Sequence, residues 1–146
     1  MISCDTNIFF AACDADSPHQ AKARHFLTTH GANASFCVCE QVLMELYCLL
    51  RNPTVCKRPL AAGDAAGMIH AFRSNRFWRI VDVVPGQGIM DQVWRLAAKD
   101  DFAYRRIFDI RLACTLRHHG VLKFATRNTK DFRHAGFQTV WDPTAD

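Results

Sequence analysis

Several things are scarce or missing in this chain, and each absence narrows its function. No apolar run approaches the ~20 residues needed to cross a bilayer. No basic segment precedes the apolar residues at the N-terminus either, so neither export nor membrane insertion is expected and the cytoplasm is the expected location. Cys-x-x-Cys does not occur. The seven cysteines (Cys4, Cys13, Cys37, Cys39, Cys48, Cys56 and Cys114) are odd in number and lie mostly in apolar runs. That is the pattern of buried reduced thiols, not of disulfides or a zinc site. The seven histidines show no metal-ligand spacing. No internal repeat, low-complexity tract or separating linker is present, which leaves one domain over residues 1–146. Glutamate is nearly absent: Glu40 and Glu45 are the only two among 14 acids.

What is present fits a globular protein. With 49% hydrophobic and 22% charged residues, the chain can bury a core and is not disordered. The net charge of +4 is compatible with a nucleic-acid partner without establishing one.

Met1 to Cys4 reads as a short buried strand running into Asp5, with a helix over 6–14. Ser17-Pro18 suits the N-cap and first position of a helix from His19 to His30, closed by Gly31. A strand over 34–39 leads into a helix from Glu40 to Arg51, ended by Asn52-Pro53. Helices are expected over 61–74, 87–99 and 109–119, and strands over 77–84, 121–126 and 138–141. Strand and helix alternate, which implies a mostly parallel sheet covered on both faces. Ligands bind beyond the carboxyl ends of such strands. Asp5 and the segment from Thr126 to Asp131 both follow strands and should emerge on one edge.

The acids carry the functional argument. Asp5 alone is best explained as a helix N-cap. Glu45 is the only charge in Val42-Leu-Met-Glu-Leu-Tyr-Cys-Leu-Leu50, a run that reads as buried, so a solvated-face explanation is poor; a buried ion pair with an arginine is the alternative. Glu40 lies five residues earlier, turned away from Glu45, and suits the first turn of the helix. Asp109 opens its helix and fits an N-cap equally well. Asn128 and Asp131 fit turn formers, or groups that with Thr126 orient water or a ligand. Convergence of strand-end Asp, helix Glu, helix-start Asp and strand-end Asn/Asp gives an all-oxygen cluster. Such a cluster suits Mg²⁺ or Mn²⁺ rather than zinc and would support phosphodiester hydrolysis. Arg105, Arg106, Arg127, Lys130 and Arg133 flank these segments and fit either RNA-phosphate contacts or ordinary solvated or acid-pairing side chains, with Lys57-Arg58 a second basic pair.

Four motifs together carry a resemblance: Asp5-Thr6-Asn7; Val42-Leu-Met-Glu45 through Asn52-Pro53; Phe108-Asp109-Ile-Arg-Leu-Ala113; and Thr126-Arg-Asn-Thr-Lys-Asp-Phe132. In order and spacing, and with the Trp141-Asp-Pro143 tail, the chain resembles the PIN domain family, and within it the VapC-type toxin ribonucleases of toxin–antitoxin systems. The resemblance implies a three-layer α/β/α sandwich and a metal-dependent endoribonuclease. It implies that Asp5 and Asp109 hold the metal and that Glu45 completes the cluster directly or through water. Thr6, Asn7 and Thr126 would be supporting groups and Asn128 and Asp131 the fourth wall, although Asn128 stands where many relatives carry Asp. It also implies RNA as substrate, a homodimer, and inhibition by a small cognate antitoxin. Two rivals remain at this point. One is a catalytically reduced PIN-like module that binds RNA or protein. The other is an Asp5-nucleophile phosphatase, against which Asn7 stands where a second acid is expected.

Overall fold

A computed structural model describes all of residues 1–146. Five short strands form one parallel sheet: β1 (Ile2–Cys4), β2 (Phe36–Cys39), β3 (Arg79–Val81), β4 (Lys123–Ala125) and β5 (Thr139–Trp141). Their spatial order is β3-β2-β1-β4-β5. Strand β1 is therefore central, and the winding reverses on either side of it. Seven helices connect the strands: α1 (Thr6–Cys13), α2 (Gln20–Thr29), α3 (Glu40–Arg51), α4 (Ala62–Arg73), α5 (Ile89–Ala97), α6 (Ile107–His118) and the single turn α7 (Thr129–Phe132). Helices α2, α1, α3 and α4 pack in succession, while α5 pairs with α6. The architecture is the expected three-layer α/β/α sandwich. No helix is long and apolar enough to cross a membrane.

The register places the site. Ser3 lies opposite Phe124 and Cys4 opposite Ala125. Asp5 and Thr126 therefore leave the sheet at the same level, on either side of the point where the winding reverses. The Asp5 amide donates to the Ala125 carbonyl at 2.9 Å, which ties the two exits together. Beneath them, Phe9, Phe36, Phe72 and Trp78 meet in edge-on, tilted and stacked contacts, and Phe124 stacks on Phe137. This packing immobilises the strands whose ends carry the polar groups.

Several local expectations are corrected. Helix α2 begins at Gln20, because Ser17 Oγ accepts from the His19 amide and closes a turn there instead of capping the helix. Gly31 does not adopt the left-handed conformation of a helix-closing glycine. Strand β3 shrinks to Arg79–Val81, the residues that pair with Cys37–Cys39. Trp78 is instead held by its indole N–H on the His30 carbonyl at 2.8 Å. The α3 run is not wholly buried, since Met44 is 67% exposed and Cys48 is exposed beside it. Cys48 is thus an exception to the buried thiols; all seven cysteines are free.

Candidate active site

Asp5 ends β1 and is the N-cap of α1, in extended geometry, with Oδ1 accepting from the Thr6 amide at 2.7 Å. The cap explains only one of its bonds. Oδ2 also accepts from Asn7 Nδ2 and from Thr126 Oγ1, both at 2.7 Å. The Thr126 hydroxyl in turn accepts from Asn7 Nδ2 at 3.1 Å and from the Asn128 amide at 3.0 Å. Asn7 Oδ1 accepts from the Arg127 amide at 3.1 Å. Asp5, Asn7 and Thr126 therefore form one closed network across the ends of β1 and β4, and Thr6 extends it to α3. Thr6 Oγ1 donates to Glu45 Oε2 at 2.8 Å.

Glu45 is half-buried on α3. Its other oxygen, Oε1, accepts from Gln41 Nε2 at 2.9 Å. The arginine pairing considered for Glu45 does not occur. Arg111 reaches Gln41 Oε1 at 2.8 Å and Asp82 Oδ1 at 3.0 Å instead. Glu40 points elsewhere, as its spacing requires, and pairs with Arg73.

Asp109 is not an N-cap. Helix α6 begins two residues earlier, at Ile107, and Asp109 lies within its first turn. Burial, then the charges of Asp131 and Glu45, raise its pKa, and Arg106 partly opposes this; no hydrogen bond contributes. Asp5 is pushed up to about 6 from 3.8, mainly by burial, with the charges of Glu45 and Asp109 adding to it and the Thr126 and Thr6 bonds opposing. The three carboxylates thus sense one another, and Asp131 joins them through Asp109.

At the fourth wall, Asp131 is the residue whose charge reaches Asp109. The exposed Asn128 amide donates to Asp131 Oδ2, so Asn128 holds Asp131. Arg106 donates from Nη2 to the Asp131 carbonyl at 2.7 Å, bracing the same turn. Arg105 is exposed and lies over the exposed Tyr104 ring, 5.6 Å from its centroid. Arg127, Lys130 and Arg133 are exposed and free of ion pairs. Arg58, on the far basic loop, pairs with Asp16 at 3.3 Å.

An oxygen-only donor set in which burial, and then mutual repulsion, disfavours the charged form of two acids is chemically suited to a hard divalent cation. No three acidic, histidine or cysteine side chains are gathered closely enough to form a ready-made cage. An ion here would be held by one or two carboxylates with water completing its shell, the usual manner of Mg²⁺. Asp5 and Asp109 would be its direct ligands, with Glu45 acting directly or through water.

Reasoning from the sequence missed Gln41 and Arg111. Gln41 lies one turn before Glu45 on α3, so the i, i+4 spacing was a usable signal. For Arg111, two residues after Asp109, no local signal existed.

Comparison with known proteins follows the same outline. A model of the PIN domain family matches residues 2–138. Ribonuclease VapC24 of Mycobacterium tuberculosis is 51% identical over 143 residues, covering 98% of this chain and 97% of its own. Among solved structures, Mycobacterium tuberculosis VapC20, described as a toxin that cleaves the sarcin-ricin loop, aligns with a TM-score of 0.66 at 20% identity, over 94% of this chain and 96% of its own. A toxin–antitoxin complex from Klebsiella pneumoniae aligns with a TM-score of 0.58 at 15% identity, over 98% of both chains. At these low identities the two structures speak to fold.

Proposed function

The chain belongs to the PIN domain family, in its VapC ribonuclease branch, and we propose that it is the toxin endoribonuclease of a toxin–antitoxin pair, cutting RNA with the help of Mg²⁺ or Mn²⁺. One observation carries the reading: Asp5, at the end of β1, and Asp109, on α6, both have a raised affinity for protons, to which the charge of Glu45 contributes at each. Buried like charges that raise each other's pKa are a mark of a functional site. A bound divalent ion would supply Lewis-acid stabilisation of the scissile phosphate and a bound water of lowered pKa.

The chain's own residues have distinct tasks in this reading. Thr126, Asn7 and the Thr6 amide hold Asp5 in one orientation, so that its carboxylate does not reorganise when a substrate arrives. Thr6 keeps Glu45 within reach of the same space. Asp131, steadied by Asn128 and Arg106, contributes negative charge beside Asp109. Arg105, Arg127 and Lys130 are free to meet RNA phosphates, fixing position without reading sequence. An Asp-nucleophile phosphatase fits less well, because Asn7 donates to Asp5 and cannot serve as a second acid.

Partner binding is part of the proposal. The exposed Met44, Trp94, Tyr104 and Phe108 supply apolar surface for a second copy of the chain and for an antitoxin. The decisive experiment is RNA cleavage with and without divalent ion, comparing wild type with Asp5→Asn and Asp109→Asn. Each variant is expected to lose about 10²–10³-fold in kcat, the scale for removing one charge-stabilising group. Undiminished cleavage by both variants would sink the assignment.

A further inference from the structure

Gln41 is a buried amide, 7% exposed, and three of its four hydrogen-bonding positions are used. Nε2 donates to Glu45 Oε1 and to the Phe108 carbonyl, both at 2.9 Å. Oε1 accepts from Arg111 Nη1 at 2.8 Å. The orientation is unique. Turned over, the amide would set its oxygen against two acceptors and its NH₂ against a guanidinium that only donates.

The position of each partner matters. Glu45 stands one turn along α3. Phe108 is joined directly to Asp109. Arg111 lies two residues past Asp109 on α6 and is anchored at its other end by Asp82, just after β3, at 3.0 Å. Glu45 is meanwhile held on its other oxygen by Thr6, next to Asp5. A single side chain therefore bridges the helix that carries Glu45 and the backbone that carries Asp109. Helices α3 and α6 otherwise approach the site from different parts of the chain. No backbone hydrogen bond joins the two segments.

We propose that Gln41 is a positioning residue that sets the separation of Glu45 from Asp109, and that Arg111, braced by Asp82, acts through it by locking the amide. This rests on the metal-dependent reading of the site. Gln41 suits the task because it is neutral. It can donate to a carboxylate and a carbonyl at once without adding a further charge beside the acids, and it leaves the second Glu45 oxygen to Thr6.

The test uses Gln41→Met, which keeps the length of the side chain and removes all three bonds, together with Arg111→Met and the double variant. Mn²⁺ uptake is measured directly on folded protein without RNA, and kcat and KM are measured separately. Loss of a residue that orients a metal ligand typically costs 10–100-fold in affinity or activity. Gln41→Met is expected to raise the half-saturating Mn²⁺ concentration about 10-fold or more and to lower kcat, with KM for RNA unchanged. Arg111→Met is expected to show a smaller loss in the same direction. The double variant should be no worse than Gln41→Met, because the two residues act in series.

In metal-free wild type, the Gln41 side-chain amide protons should exchange slowly with solvent, and Arg111→Met should speed them. Mn²⁺ uptake by Gln41→Met equal to wild type would overturn the inference, as would losses that simply add in the double variant, or rapid exchange of the wild-type amide. A general loss of folding would lower the fraction of protein that binds without altering the affinity of the remainder, and that result also counts against the assigned role. Wild type that takes up no Mn²⁺ would bring down the metal reading itself, and with it this role; that failure is recognisable because it needs no substitution.

Discussion

Asp5 and Asp109 look alike in the sequence, each an aspartate at the start of a helix, yet the fold treats them in opposite ways. Asp5 accepts from three donors on two oxygens and is locked to the ends of two strands. Asp109 receives no such support. It faces the charges of Asp131 and Glu45, and only Arg106 offsets them. One side of the site is organised in advance by neutral donors, and the other is left electrostatically unfinished. A rigid half gives geometry, while an uncompensated half gives a cation something to stabilise. A pocket with both acids fully satisfied would have little left to offer a metal.

The largest effect expected from this contrast is on stability against pH. The folded chain keeps a proton on Asp5 up to about pH 6, whereas the unfolded chain loses it near 3.8. Between those values the folded state holds more protons, so the contribution of Asp5 is fully present below the window and is lost as pH rises through it. The change is on the order of 3 kcal/mol at most. In chelator, the unfolding free energy of wild type minus that of Asp5→Asn should therefore fall between pH 4 and pH 7. A flat difference would mean that Asp5 is no more strained than an ordinary surface acid.

Of intermediate size is the difference between the two halves on removing one polar group. Thr126→Val deletes the hydroxyl that serves Asp5, Asn7 and Asn128 together. It should destabilise the protein by about 1–3 kcal/mol in denaturant titration, the scale for leaving buried polar groups unpaired. Asp131→Asn, on the unfinished side, removes a charge that repels Asp109, and should leave stability unchanged or slightly raised. Equal losses from both variants would erase the distinction.

The smallest effect sharpens the contrast at its rim. Arg105 is exposed and its partner is its neighbour Tyr104, so it is free to meet phosphate. Arg105→Ala should raise KM for RNA about two- to threefold at low salt, with the difference fading as salt is added. A change in kcat at constant KM would place Arg105 in the chemistry instead.

Much of this was legible residue by residue. Helix α3 was read at its observed bounds, Glu40–Arg51, because both signals are local: the end of an apolar strand before it and Asn52-Pro53 after it. The parallel sheet followed from the alternation of elements, and the common exit of Asp5 and Thr126 followed from the sheet. Strand β3 was overextended because Phe77 and Trp78 favour strands by composition, whereas pairing with β2 decides where a strand stops. The start of α6 was placed two residues late, since an aspartate signals a cap whether or not its side chain is used as one. Exposure of Met44 and Cys48 was missed because an apolar run does not say which of its faces will find a neighbour.

The sequence by itself determined the alternation of strands and helices, the four polar segments, and the presence of an acid at Asp5, Glu45 and Asp109. These are properties of local pattern and of chemistry written one residue at a time. Only the tertiary structure decided that Asp5 would be held by three donors and Asp109 left without them. It also decided that Asn128 would hold Asp131, and that Gln41 would join Glu45 to the chain at Phe108. Those outcomes depend on distances between residues as far apart as Asp5 and Thr126. Such distances are set by strand register and helix packing, which no local stretch of sequence contains.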